Sequence, residues 1–263
     1  MRAFRIAYDG RPFYGFQRQP DVRTVEDELL AALSALGVSD GVPKGYAAAG
    51  RTDAGVSAVA QTVAFSAPNW LTPAALNSEL PASVRAWASA DAPPSFHATH
   101  DARFREYTYH CYAPTASLPL AKDALDRLSG EHDFHNLTPD EEGTVRDLSS
   151  QVLQDGDYLV VTLRAGGFAR NLVRRVVALV DAIATGDAPT SKIEHVLSPE
   201  PLDGPEGVAP APAHPLVLTD VGYNLDFDVD EEAAESAGEV FDDLRAERAT
   251  GARVAGEITD RVQ

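Results

Sequence analysis

Apolar and polar positions alternate at the start of the chain. Phe4, Ile6 and Tyr8 fall on one side of Arg5 and Ala7, which predicts a strand over 4–10. The run "RPFYGFQRQPDVR" (11–23), rich in proline, glycine and aromatics, predicts a loop. Thr24 then stands as an N-cap before "VEDELLAALSALG", whose first turn is acidic and whose stop is Gly37. Strands around 45–51 and 59–66, a short helix after Pro73 and a strand over 84–90 complete a β-α-β-β-α-β order. The second half repeats it: the strand "FREYTYHCY" (104–112), a helix around 119–129, strands near 144–154 and 157–164, a helix over 168–185 ended by Gly186, and a closing strand over 215–224. A further short helix is expected at about 189–198. Two copies of the split βαβ pattern predict an α+β fold of two ferredoxin-like halves, with adjoining antiparallel sheets and a central cleft. The expected division is 1–103, 104–225 and an acidic, solvated appendage over 226–263, with "SPEPLDGPEGVAPAPAHP" (198–215) as a Pro/Gly-rich loop.

Composition narrows the class. At 263 residues, 44% hydrophobic and 24% charged, the chain suits a soluble globular protein. The most apolar run, "LVRRVVALVDAIA", is broken by Arg174, Arg175 and Asp181, so no membrane partner is expected. The start lacks the apolar core of a signal peptide. A single cysteine, Cys111, excludes an internal disulfide and fits a reducing cytoplasm; its strand context predicts a packed thiol. Forty acidic against 22 basic residues give a net charge of −18, with only three lysines. That surface is suited to high salt. The charge is uneven: residues 1–60 carry seven basic and seven acidic residues, whereas 191–263 carry five and 17. A polyanion would therefore be met by arginines of the first two-thirds.

Three local groups carry candidate chemistry. In "YDGRPFYGFQRQ", Tyr8, Phe13, Tyr14 and Phe16 interleave with Arg11 and Arg18, a mixture suited to stacking on bases and pairing with phosphates, or to a packed aromatic loop. In "AAAGRTDAGVSA" small residues crowd around Arg51 and Asp53, which point the same way if the stretch is extended. A plain turn is the alternative. On the helix over 168–185, Phe168, Leu172, Val176, Leu179 and Ile183 form an apolar stripe, with Arg170 and Arg174 one turn apart on a neighbouring face. There is no glycine-rich nucleotide loop. His97 and His100 are expected as polar packing rather than metal ligands, and Glu141 and Glu142 as turn residues facing water.

Together "YDGRPFYGFQRQ", "GRTDAGVSA", "FHATHDARFREYTY" and "GGFARNLVRRVV" resemble, in order and spacing, the motifs of the tRNA pseudouridine synthase A (TruA) family. The resemblance spans residues 1 to 224. It departs from the family pattern at Leu172, where methionine is usual, and at Pro215, where a glycine usually precedes the leucine. The resemblance implies Asp53 as the essential catalytic residue and Arg51 as the residue that helps displace the target base. It implies Tyr107 as the stacking partner of the uracil, Arg174 as the partner of the aspartate and Leu216 as pocket lining. The small residues around Arg51 and Asp53 would then let an RNA backbone approach.

The implied reaction isomerises uridine to pseudouridine in the anticodon stem-loop of tRNA, around positions 38 to 40, by a homodimer. It needs no metal and no small-molecule cofactor. Asp53 could attack C1′ or take the 2′ proton, once the base has flipped. Two other classes stay open on residues alone. An RNA-binding protein without activity would have no use for a buried carboxylate, and a carboxylate glycosidase would lack its second acid.

Overall fold

The computed structural model describes residues 1–202 and 207–262; residues 203–206, inside the Pro/Gly-rich loop, and residue 263 lie outside the described residues. The first half comprises β1 (Arg2–Tyr8), α1 (Val25–Ala35), β2 (Ala47–Ala48), β3 (Ser57–Phe65), α2 (Pro73–Asn77) and β4 (Val84–Asp91). The second comprises β5 (Phe104–Tyr112), α3 (Leu118–Leu128), β6 (Gly130–Asp133), β7 (Val145–Asp155), β8 (Tyr158–Ala165), α4 (Leu172–Thr185), α5 (Lys192–Val196) and β9 (Leu216–Gly222). β10 (Asp228–Val229) and α6 (Glu231–Val262) follow.

The strands run β4-β1-β3-β2 in the first half and β9-β5-β8-β7 in the second. In each half the fourth main strand lies beside the first, then the third, then the second. Neighbours within each half are antiparallel. The two split βαβ units therefore share one topology, an α+β fold. They merge through β3 and β9, paired in parallel at Ser57↔Val217 and Ala58↔Leu218. α1 places Val25, Leu29 and Leu33 on Phe4, Ile6 and Phe65, while α3 and α4 cover the second half with Leu125, Leu128, Val176 and Val180 around Phe134. The Thr24 hydroxyl accepts from Asp27 N at 3.3 Å, capping α1 as its sequence predicts.

This seam positions everything that follows. One edge of β3 is shared: β2 pairs at Val63 and Ala64, and β9 pairs at Ser57 and Ala58. Residues 49–56 cross the interval between them. Because β3 and β9 are parallel, both begin at the same end of the sheet, so Asp53 and Leu216 open onto one cleft.

Three expectations are corrected and one strand is added. The helix expected over 168–185 begins at Leu172, because Asn171 takes a left-handed conformation with φ 62°. Phe168 and Arg170 thus lie in the preceding loop, and Arg170 pairs with Asp140 at 3.2 Å instead of standing one helical turn before Arg174. The strand expected over 45–51 shrinks to Ala47–Ala48, since side chains rather than a neighbouring strand take the next carbonyls. A short strand, β6, was not visible in the pattern, since "GEHD" has no apolar alternation. The segment after Asp226 is not solvated along its whole length: β10 pairs with β4, Ala233 and Ala237 of α6 are buried, and Arg248 meets Asp9 at 2.6 Å. Only from Arg245 onward is every described residue exposed.

Candidate active site

The loop bearing Asp53 is held by protein on almost every side. Phe16 N donates to Thr52 O at 3.1 Å and Gly55 N to Phe13 O at 3.2 Å, so the aromatic loop after β1 runs directly against it. That approach demands glycine. A Cβ on Gly10 would lie 2.1 Å from Val56 O, and one on Gly15, at φ +101°, would lie 2.9 Å from Thr52 O. Behind the loop, the buried Tyr8 and Thr52 hydroxyls share a hydrogen bond of 2.7 Å. Gln61 Nε2 donates to Gly50 O at 2.9 Å. Of the small residues around Arg51, Ala49 is fully buried and Gly55 takes a φ of +82°, whereas a Cβ on Gly50 would meet nothing closer than Arg105 Nε at 4.0 Å. Thr52 is buried, while Arg51 and Asp53 turn outward together, as an extended stretch requires.

The second half supplies the facing wall. Arg174, on α4, donates from Nη1 to Asp53 Oδ2 at 3.3 Å, and from Nε to Ala211 O at 2.7 Å. The arginine side chain is 17% exposed and the aspartate 40%, so the carboxylate is open to a ligand rather than buried. Tyr107, on β5, stands edge-on to Phe168, with centroids 5.3 Å apart and planes at 84°. Burial pushes its phenol up to about 12, with Arg105 opposing the rise and Asp53 adding to it. Leu216 is buried at the head of β9, opposite Tyr109. Leu172, at the family methionine position, is buried in the wall, and Pro215 O accepts from His110 N at 3.2 Å.

All five residues singled out from sequence (Arg51, Asp53, Tyr107, Arg174 and Leu216) line one cleft of about 930 Å³. Glu26, Asp140, Arg105, Arg146 and Arg170 line it too. Five arginines against three carboxylates make it net positive within a chain of −18. His97 also borders the cleft, its ring packed against that of His100 with centroids 4.2 Å apart and planes tilted by 35°. Among the described residues no group of three or more His, Cys, Asp or Glu could hold a metal, and no helix is long and apolar enough to cross a membrane. Cys111 sits in β5 beside Asp181, and burial holds its thiol up at about 12.

A family model described as tRNA pseudouridine synthase matches residues 124–224. The tRNA pseudouridine synthase A of Haloarcula marismortui is 59% identical over 99% of both chains. That of Natronomonas pharaonis is 60% identical over 98% of this chain and 99% of its own, and that of Methanothrix thermoacetophila 36% identical over 99% and 98%. The chain belongs to the tRNA pseudouridine synthase A family. Membership makes it an isomerase, and the two relatives of highest identity named here come from haloarchaea, in keeping with the acidic surface.

Sequence reasoning missed Arg105. Its guanidinium donates to Ala49 O at 2.6 and 3.0 Å, to Thr99 O at 2.7 Å and to Gly166 O at 2.8 Å. One side chain of the second half thereby ties the start of the Asp53 loop and Thr99, both in the first half, to Gly166 of the facing wall. The signal was available: Arg105 falls in register with Tyr107 and Tyr109, the inward positions of β5. Tyr8 and Thr52 carried no comparable signal, because only the fold brings β1 behind the loop.

Proposed function

We propose that this family member isomerises uridine to pseudouridine in the anticodon stem-loop of tRNA, around positions 38 to 40, with Asp53 as the reacting carboxylate. The observation that carries the assignment is the 3.3 Å pair between Asp53 and Arg174, which joins the two halves in a net-positive cleft. The target nucleotide leaves its stack and enters the cleft, where Tyr107 offers a ring face and Arg51 fills the place vacated in the RNA. Arg51 makes no side-chain hydrogen bond or ion pair among the described residues, which suits a side chain meant for RNA. The C1′–N1 bond then breaks with charge developing at C1′, opposite the Asp53 carboxylate. The uracil turns, C5 bonds to C1′, the C5 proton leaves and N1 gains one, so the product is an isomer. Asp53 serves either as nucleophile at C1′ or as base at the 2′ position. The segments 1–103 and 104–225 act as the two walls, with 226–263 attached behind the first, and the enzyme works as a homodimer in the cytoplasm.

The test uses unmodified tRNA transcript, pseudouridine detected by chemical derivatisation and tRNA affinity measured on the same preparations. Asp53→Asn is expected to abolish turnover while affinity holds or rises, since a negative charge is removed beside a polyanion. Turnover by Asp53→Asn would sink the assignment. Product at sites outside the anticodon stem-loop would correct the substrate position alone.

A further inference from the structure

Asn171 is one of two non-glycine residues with positive φ among the described residues, the other being Asp21. It stands directly before α4, yet its side chain does not cap that helix. Its Oδ1 instead accepts from Arg174 Nη1 at 3.3 Å. The same nitrogen donates to Asp53 Oδ2 at 3.3 Å, so both of its hydrogens are used. With Nε on Ala211 O at 2.7 Å, three acceptors fix the plane of the guanidinium. Ala211 is itself tied back, its N–H donating to Arg174 O at 3.0 Å. An ordinary helical conformation at position 171 would extend α4 backward and take the amide away from Arg174. Asparagine tolerates the left-handed region better than most residues, because its short polar side chain can bond locally. Here the bond that it makes is to the guanidinium facing Asp53.

We propose that Asn171 is a positioning residue for the isomerisation, acting through Arg174 by holding its guanidinium in the plane that meets the Asp53 carboxylate. The proposal rests on the reading of Asp53 as the reacting group. Without the amide oxygen, Nη1 keeps one acceptor instead of two, and the fork is free to swing toward a phosphate of the bound RNA. Asp53 would then face the ribose without a fixed counter-charge.

Two substitutions separate side chain from backbone. Asn171→Gly keeps the left-handed conformation at no steric cost and deletes only the acceptor. Asn171→Asp keeps an acceptor oxygen at the same place, on a residue that also tolerates this conformation. The expected result is a single-turnover rate lowered roughly ten- to hundredfold in Asn171→Gly, with tRNA Kd and thermal midpoint held, and a rate in Asn171→Asp well above that of the glycine variant. Comparison at a temperature where both variants are fully folded keeps the ratio meaningful if either is less stable. A glycine variant as fast as wild type overturns the proposal, because backbone shape alone then matters. So does an equal loss in both variants, or a loss that falls wholly on Kd. Wild type and Asp53→Asn are run alongside. Failure of wild type to form pseudouridine, or turnover by Asp53→Asn, counts against the proposed function itself, not against the role of Asn171 alone.

Discussion

The cleft holds Arg51, Arg105, Arg146, Arg170 and Arg174 against Glu26, Asp53 and Asp140. Residues 227–248, which form β10 and most of α6, hold nine acidic and two basic residues, and every one of those acids but Asp230 is exposed. One region concentrates cations and fixes all of them but Arg51; the other concentrates carboxylates and leaves most of them in water. In the cleft Arg105 is bound to three backbone segments, Arg146 to Val145 O at 2.7 Å, Arg170 to Asp140 and Arg174 to Asp53. In a chain this acidic, contact with a polyanion is favoured where arginines are gathered and carboxylates are kept away. α6 lies along the first half through Ala233, Ala237 and the Arg248–Asp9 pair, on strands outside the cleft lining. The carboxylate-rich segment and the arginine-lined cleft are thus separated in space, and the separation can be tested region by region.

The largest effect is expected at Arg105. Arg105→Ala removes four hydrogen bonds and leaves the carbonyls of Ala49, Thr99 and Gly166 without that donor. Charge-assisted bonds of this kind contribute about 1.5–3 kcal/mol each at most, and they are not additive, so a loss of about 3 kcal/mol in urea unfolding is expected. The single-turnover rate should fall at least roughly a hundredfold, because the Asp53 loop loses its tie to the facing wall. Arg253→Ala, on the exposed part of α6, should leave both quantities unchanged. Equal small effects from the two substitutions would break the contrast between fixed and solvated arginines.

The sequence carried most of this in two different ways. The order of elements was legible from periodicity, because each half buries one face of its sheet under helices and so alternates or repeats every three to four residues. The constellation of Arg51, Asp53, Tyr107, Arg174 and Leu216 came from the resemblance of four motifs, and the fold brings all five to one cleft. What stayed hidden was decided by tertiary contact. Asn171 sits in a continuous apolar pattern that reads as helix, and only its own left-handed turn moves the start of α4 to Leu172. The docking of α6 was hidden because its buried residues, Ala233 and Ala237, are small and give a weak apolar signal among carboxylates. The bareness of the Asp53 loop was legible, but its neighbours were not: only the fold shows that Gly10 and Gly15 must be glycine because this loop runs against them.

A smaller effect is expected at Tyr107, where the contrast becomes one of ring against hydroxyl. The hydroxyl makes no hydrogen bond among the described residues, and the phenol is held up at about 12, so it stays protonated through neutral and mildly alkaline pH. Tyr107→Phe should keep most of the single-turnover rate, and its pH profile between 7 and 10 should follow that of wild type. Tyr107→Ala removes the ring face, worth ~1–3 kcal/mol per stacked base. Equal loss in both variants, or a shifted profile in Tyr107→Phe alone, would place the function on the hydroxyl.

The smallest effect is expected from shortening α6, and the position of the cut decides its meaning. Residues 249–263 hold two acidic and two basic residues, so a chain ending at Arg248 keeps its net charge of −18. It also keeps β10, the buried Ala233 and Ala237, and the pair with Asp9. Its thermal midpoint and its tRNA affinity at low salt should match those of the full chain. A chain ending at Asp226 is a different experiment. It loses net −7 from residues 227–248, which favours phosphate binding by relieving long-range repulsion. It also uncovers β4 and strips Asp9, buried next to the loop that packs on Asp53, of its ion-pair partner. An uncompensated buried carboxylate is costly, so this chain should melt at lower temperature whatever its affinity for RNA. Tighter tRNA binding by the chain ending at Arg248 would mean that the exposed end of α6 reaches the RNA, and the separation of the two regions would fail.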